Sequence, residues 1–182
     1  ANPTVSVLEK RLAALEGAEF CTCYSTGLAA TTALFLGLLK AGDRVVVSEA
    51  VYGGTVRLLR EVLSSFGVHA DFIDTADENA FEKAVKSEPV KLIFIETPAN
   101  PTNDLIDIAC CRDMADEFGG DKKVMLVVDN TYMGPLWQHP LRHGADLVIY
   151  SCTKYIGGHS DVVMGALVTN NEDFYTQLAF IH

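Results

Sequence analysis

Residues 145–161, ADLVIYSCTKYIGGHSD, pass from an apolar stretch straight into reactive groups. Leu147-Val148-Ile149-Tyr150 reads as a buried strand, and it delivers Ser151, Cys152, Thr153 and Lys154 before a glycine turn. A held lysine amine is a nucleophile toward carbonyl groups; the same lysine also reads as a solvated surface charge. If the extended form persisted, alternation would put Ser151 and Thr153 on one side and Lys154 on the other. Two hydroxyls could then hold a phosphate while the amine approaches something else. Val124-Met125-Leu126-Val127-Val128 ends in a comparable way, in Asp129-Asn130-Thr131. A carboxylate at the end of an apolar strand is costly unless paired or hydrogen-bonded. Asp129 therefore calls for a cation, a metal, the N–H⁺ of a cofactor, or nearby backbone amides.

Three more strand ends carry suggestive residues. Ser25-Thr26-Gly27-Leu28 opens a helix after Phe20 to Tyr24. Free N–H groups and a positive dipole end make an anion site there, although an ordinary N-cap uses the same residues. Tyr52-Gly53-Gly54-Thr55 follows Arg44 to Ser48. Its ring could lie over a flat ligand, or it could be a surface turn. Glu96-Thr97-Pro98-Ala99-Asn100-Pro101 follows Leu92 to Ile95. Two prolines restrict the residues before them, Asn100 included, in a loop that is rigid with or without chemistry.

Positioning these groups requires a layered frame. Apolar residues at helical spacing predict helices over Val5 to Leu15, Leu28 to Leu39, Val56 to Phe66, Asn79 to Val85 and Ile108 to Phe118. Glycine stops follow at Gly17, Gly42, Gly67 and Gly119-Gly120. Between them lie short strands, Phe20 to Tyr24, Arg44 to Ser48, Val68 to Ile73, Leu92 to Ile95, Val124 to Val128, Leu147 to Tyr150 and Val162 to Val168. Such alternation predicts an α/β fold, with a mostly parallel sheet covered by helices on both faces. Ligands of such sheets sit beyond the carboxyl ends of the strands, where the residues above fall. One ligand unites them: flat, phosphorylated, basic at a ring nitrogen and electrophilic toward amines. Pyridoxal 5′-phosphate (PLP) has all four properties.

Composition excludes other classes. The chain has 182 residues, about one domain, of which 49% are apolar and 21% charged. A formal charge of −10 argues against nucleic acid and against an anionic membrane surface. No apolar run approaches the roughly 20 residues of a membrane span, and no stretch reads as a signal peptide. Cys21, Cys23, Cys110, Cys111 and Cys152 form no CxxC pair, and no cluster has zinc spacing. They read as reduced, mostly buried thiols of a cytoplasmic protein, and no metal is expected. An NAD-dependent dehydrogenase would need a GxGxxG turn after the first strand, which Ser25 to Leu28 does not supply. The start at Ala1 and the end in a helical pattern at Ile181-His182 suggest a piece of a longer polypeptide.

From Asn2-Pro3-Thr4 onward the chain resembles the Cys/Met-metabolism family of PLP-dependent enzymes, the cystathionine γ-synthase, cystathionine γ-lyase and methionine γ-lyase group. The resemblance rests on Tyr52-Gly53-Gly54-Thr55, Glu96 to Pro101, Val128-Asp129-Asn130-Thr131, and Ser151 to Gly158 with His159 and Asp161. It implies a three-layer αβα sandwich, the aspartate-aminotransferase-like large domain, over residues 1–182. An N-terminal arm and a C-terminal small domain would lie outside this chain. By the resemblance Lys154 is the Schiff-base lysine and Asp129 the partner of the pyridine nitrogen. Tyr52 stacks on the ring and also serves as acid or base at the leaving group. Thr26, Gly27, Leu28, Ser151 and Thr153 hold the phosphate, Asn100 lies near the cofactor's phenolic oxygen, Thr131 lies behind the ring, and Glu96 supports the pocket from outside.

The implied activity is that of a lyase or transferase on sulfur-containing amino acids, by β/γ-elimination or γ-replacement through a substrate aldimine. The implied assembly is a homo-oligomer, a dimer of dimers with shared sites. Further phosphate ligands from a neighbouring subunit, and the arginine that grips the substrate carboxylate, belong to parts absent here. Methionine γ-lyases often carry a cysteine two residues after the stacking tyrosine. Gly54 stands there, which tilts the expectation toward a cystathionine-type enzyme. The rival from another class is a catalytically incompetent PLP-fold module for binding or assembly.

Overall fold

The computed structural model describes residues 2–74, 77–119 and 123–182. Ala1 and Gly120, invoked above as chain start and helix stop, lie outside the described residues. Among those described, one seven-stranded sheet is formed by β1 (Phe20–Tyr24), β2 (Arg44–Ser48), β3 (His69–Ile73), β4 (Leu92–Glu96), β5 (Met125–Asp129), β6 (Leu147–Ser151) and β7 (Gly165–Thr169). Its order is β1-β7-β6-β5-β4-β2-β3. β7 runs antiparallel to both neighbours, and the other pairings are parallel. The central strands are apolar on both faces, which is why they occupy the middle of a sheet covered on both sides.

Alternation divides the strand residues between two layers of helices. Val45, Val47, Phe94, Val127, Leu147 and Ile149 pack with α2 (Gly27–Leu38) and with the segment that starts at α3 (Gly53–Arg57). Leu178 of α6 (Glu172–Ile181) joins this side. The intervening residues Ile93, Ile95, Leu126 and Val128 pack with α4 (Glu78–Ser87) and α5 (Ile108–Phe118). On the same side Val148 and Tyr150 meet Leu12 and Ala13 of α1 (Pro3–Glu16). The three-layer sandwich expected from the sequence is therefore present.

Local chemistry sets the helix ends. Asn2 accepts from the Thr4 N–H (3.0 Å) and Pro3 opens α1. Asp77, Asp107 and Asn171 cap α4, α5 and α6 in the same manner. Gly17, with φ of 75°, ends α1 in a conformation that strains any residue with a Cβ.

Some boundaries moved. The helix expected over Val56 to Phe66 starts earlier, at Gly53, and passes through a π turn (Leu58–Val62) into a 3-10 turn (Leu63–Phe66). Spacing of apolar residues reports a buried face and does not resolve these pitches. β7 begins at Gly165 and not at Val162, because Met164 spends its N–H and C=O on Thr153 while Val162 and Val163 stay exposed. A 3-10 turn at Pro140–His143 had no signal in the apolar pattern. Leu34, Phe35, Leu38 and Leu39 lie in the core, whereas Leu136 and Trp137 are exposed.

Gly165 sits where β7 passes under the turn that starts α2. A Cβ on it would lie 2.2 Å from the Thr26 carbonyl oxygen, so backbone must shift. Gly165→Ala is expected to cost about 1–3 kcal/mol or more in denaturant unfolding. A variant as stable as the parent would mean that this approach is loose in solution.

Candidate active site

The register of the sheet aligns the strand ends. Glu96 of β4 is the Cα partner of Asp129 of β5, and Ser151 of β6 faces Gly165 of β7, which also pairs with Tyr24 of β1. By alternation Glu96, Asp129 and Ser151 share the α2 side of the sheet with Phe94, Val127 and Ile149.

The N-terminus of α2 lies directly over Ser151. Thr26 is extended and its Oγ accepts from the Ala29 N–H at 2.8 Å. The Gly27 and Leu28 N–H groups come earlier in the same first turn, where a helix offers them no internal acceptor. A Cβ at position 27 would stand 2.8 Å from Ser151 Cβ and 2.9 Å from its Oγ. Only glycine lets the turn settle on that hydroxyl. The result is a cradle of backbone donors and one hydroxyl at a positive helix end, suited to a phosphate.

Asp129 is buried at the neighbouring strand end. Its Oδ1 accepts from the Thr131 N–H at 3.0 Å. Thr131 is its one hydrogen-bond partner among the described residues, and no cation pairs with it. Burial therefore raises its pKa above the usual carboxylate range, against the bonds from Thr131. The Thr131 hydroxyl also accepts from the Ser151 N–H (2.8 Å), tying the ends of β5 and β6 together.

Glu96 holds the two loops on the far side. Its Oε2 accepts from the Tyr52 N–H at 2.8 Å and its Oε1 from the Asn100 N–H at 3.3 Å. Tyr52 is 56% exposed, and its ring lies against Gly54, where a Cβ would come within 2.3 Å of Tyr52 Cε1. Asn100 is exposed, in a loop whose Thr97-Pro98 and Asn100-Pro101 bonds are both cis. Burial pushes the Glu96 carboxyl up to about 7, and the charge of Asp129 adds to that.

An acid whose pKa is higher in the folded chain takes up a proton on folding between its two pKa values. For Glu96 that interval runs from 4.5 to about 7. Its contribution to stability is full below the interval and is lost as pH rises through it. The cofactor-free protein should lose roughly 1–3 kcal/mol more stability between pH 5 and pH 8 than its Glu96→Gln variant does. Equal losses in denaturant melts at the two pH values would remove Glu96 from the titrating set.

Lys154 follows in a turn of hydrogen bonds. Its N–H donates to the Ser151 carbonyl (3.1 Å), and its own carbonyl accepts from the Gly158 N–H (2.8 Å). Extension does not persist beyond Ser151, so the alternation considered for Ser151, Thr153 and Lys154 does not apply. Thr153 instead faces β7. Its hydroxyl accepts from the Met164 N–H (3.1 Å) and donates to the Met164 carbonyl (3.3 Å). Lys154 is exposed and makes no ion pair among the described residues. The fold thus gathers Thr26, Gly27, Leu28, Ser151, Thr131, Asp129 and Lys154 at the ends of β1, β5 and β6, with Tyr52, Glu96 and Asn100 joined at the ends of β2 and β4.

The sequence profile described as Cys/Met metabolism PLP-dependent enzyme matches residues 1–182. The chain belongs to this family. It is 47% identical over 180 residues to the cystathionine gamma-lyase of Homo sapiens, covering 99% of this chain and 43% of that protein. It is 46% identical to a probable cystathionine gamma-synthase of Herpetosiphon aurantiacus, covering 99% of this chain and 54% of the other. The crystal structure of metB from Corynebacterium glutamicum superposes with a TM-score of 0.93 at 42% identity, over 100% of this chain and 46% of that one. The chain thus spans about half the length of these relatives.

The strand ends fit the family's cofactor. An acid buried without a cation, a donor cradle that a Cβ at position 27 would fill, and an aromatic ring beside a side-chain-free position suit a cationic ring bearing a phosphate. Strand-end inspection did not find Gly165, whose backbone lies against the Thr26 carbonyl, or Met164 just before β7, which bonds the Thr153 hydroxyl. The Met164-Gly165 step was the available signal, since a glycine within a strand pattern marks a close backbone approach.

Proposed function

We propose that residues 1–182 form the PLP-binding large domain of a lyase or transferase acting on sulfur-containing amino acids, by β/γ-elimination or γ-replacement. The observation that carries this is Asp129, a buried carboxylate whose hydrogen-bond partner among the described residues is Thr131, at a strand end next to the one that leads into Lys154. When bound, PLP supplies an aldehyde that captures amines and a cationic ring that draws electrons from the substrate's α-carbon.

The residues of the chain do the rest. Asp129 keeps the proton on the ring nitrogen, and the attraction is strengthened by the burial of its carboxylate. Gly27 and Leu28 N–H, the Thr26 turn and the Ser151 hydroxyl orient the phosphate. Thr153 contributes at the same end by fixing the Ser151–Lys154 turn against Met164 and keeps an oxygen lone pair there. Lys154 Nζ would hold the cofactor through its aldehyde carbon and, once the substrate's amine has displaced it there, the freed amine would take the proton from the substrate's α-carbon and carry protons at the β-carbon. Tyr52 covers the ring and exchanges a proton with the leaving group. Asn100 lies near the phenolic oxygen and Thr131 behind the ring. Glu96 holds the Tyr52 and Asn100 loops at their spacing.

The related cystathionine gamma-lyase and probable cystathionine gamma-synthase favour a reaction that breaks down or forms cystathionine. Gly54 tilts the reading the same way, since methionine γ-lyases often carry a cysteine at that position. Shared sites in a dimer of dimers and a cytoplasmic location belong to the same reading. No disulfide joins the described cysteines, and no described helix is long and apolar enough to cross a membrane.

The test is an assay of the full-length protein on cystathionine, methionine, cysteine and O-acetylhomoserine. α-Ketobutyrate from cystathionine supports γ-elimination, pyruvate supports β-elimination, and cystathionine formed from an activated homoserine and cysteine supports replacement. A colourless protein that cannot be loaded with PLP would overturn the reading in favour of a non-catalytic module. Full activity in a monomer would overturn the shared site.

A further inference from the structure

On the face of the sheet opposite Asp129, a buried chain of hydrogen bonds runs from α1 to two site loops. Glu16, the last residue of α1, is 0% exposed. Its Oε2 accepts a short bond from the Tyr150 hydroxyl, and its Oε1 accepts none of normal geometry among the described residues. The Tyr150 oxygen in turn accepts from Asn130 Nδ2 at 2.9 Å. Asn130, also fully enclosed, donates from Nδ2 to the Gln138 and Gly134 carbonyls (2.9 and 3.3 Å) and accepts at Oδ1 from Gln138 Nε2 (2.9 Å). Gln138 Nε2 also donates to the Thr97 carbonyl at 2.8 Å. Asn130 directly follows Asp129, and Thr97 directly follows Glu96. The chain therefore grips, from behind, the two strand ends that carry the pocket acids.

While Glu16 is ionised these bonds have one direction. An ionised carboxylate only accepts, so Tyr150 must donate to Glu16. The tyrosine oxygen is then left to accept from Asn130, sharing the two N–H groups of an amide that the Gln138 and Gly134 carbonyls already orient. The amide orientation in turn holds Gln138 and, through it, the loop after β4. For packing alone an apolar side chain of similar volume would serve as well or better, since a buried carboxylate is costly to desolvate. The groups facing Glu16 are Tyr150 from β6 and, from the turn at Pro140–His143, the Leu141 amide and the Arg142 guanidinium.

We propose that Glu16 is a positioning residue for the cofactor site: through Tyr150 and Asn130 it fixes the strand end that presents Asp129 and Thr131. The inference rests on the reading above that those two residues face PLP. Burial lifts the Glu16 carboxyl to about 7, against the bonds and charge just named. The chain therefore changes its proton count within the neutral range.

Glu16→Gln and Tyr150→Phe in the PLP-loaded full-length protein test it. Each nearly conserves volume. The readouts are the dissociation constant of PLP and the pH midpoint of the bound cofactor's visible band. Each variant is expected to weaken PLP binding roughly twofold to thirtyfold and to move the midpoint by about half a pH unit or more. The double variant should do no more than the stronger single one, because both act through one chain. Folded variants with parental affinity and midpoint overturn the proposal whatever their melting temperature, and so do additive effects. If Glu16→Gln does not fold, Tyr150→Phe decides alone on the same two readouts. A parent with no cofactor band overturns the functional reading and this inference together. A parent whose band is unmoved in the variants overturns this inference only.

Discussion

Lys154→Ala is expected to lower turnover by about 10²–10⁴-fold, the usual worth of a positioned general base, and to remove the residue that borohydride would label. The variant should still hold PLP without a covalent bond. The Gly27 and Leu28 N–H groups, the Ser151 hydroxyl and Asp129 owe nothing to the lysine side chain. The turn itself should also persist, because backbone groups maintain it: the Lys154 N–H on Ser151, the Gly157 N–H on Cys152 and the Gly158 N–H on Lys154. Turnover and peptide mapping after reduction read the two effects separately. Retention of parental activity, or a reduced label on another lysine, would remove Lys154 from its role.

Asp129→Asn separates catalysis from stability, with opposite signs. In the loaded protein the amide cannot neutralise a ring N–H⁺, and the loss of that buried pair should cost turnover of the order of 10²-fold or more. In the cofactor-free protein the same change removes a charge that burial disfavours and that Thr131 only partly compensates. The variant keeps an oxygen to accept the Thr131 N–H. It should therefore be as stable as the parent at pH 8, or more stable by about 1 kcal/mol. A variant that is both active and less stable would mean that Asp129 is a structural acid whose partner lies within the protein.

How far the residues alone carry this protein depends on which of them is considered. β1, β2 and α5 lie where apolar spacing puts them, because a buried face repeats at a fixed interval and polar caps mark the ends. The places of Asp129 and Ser151 at strand ends and of Thr26 at a helix start are legible for a related reason. A polar residue at the end of an apolar run is costly without a partner, and a helix start leaves donors unused. Lys154 carried less by itself, since nothing in its spacing separates an anchored amine from a solvated one. It acquired meaning from the joint pattern and from the family resemblance. The π turn after α3 was not legible, because the apolar face it buries could equally belong to a regular helix.

The sequence by itself determined the alternation of strands and helices and the identity of the groups at the strand ends, since both follow from interactions between residues close along the chain. Tertiary structure alone decided which ends meet. Strand order set Glu96 beside Asp129 across 33 positions (129 − 96), and packing of α1 brought Glu16 to Tyr150 over a separation of 134. Such contacts leave no periodic trace, because neighbours in a sheet are selected by how whole faces bury against each other.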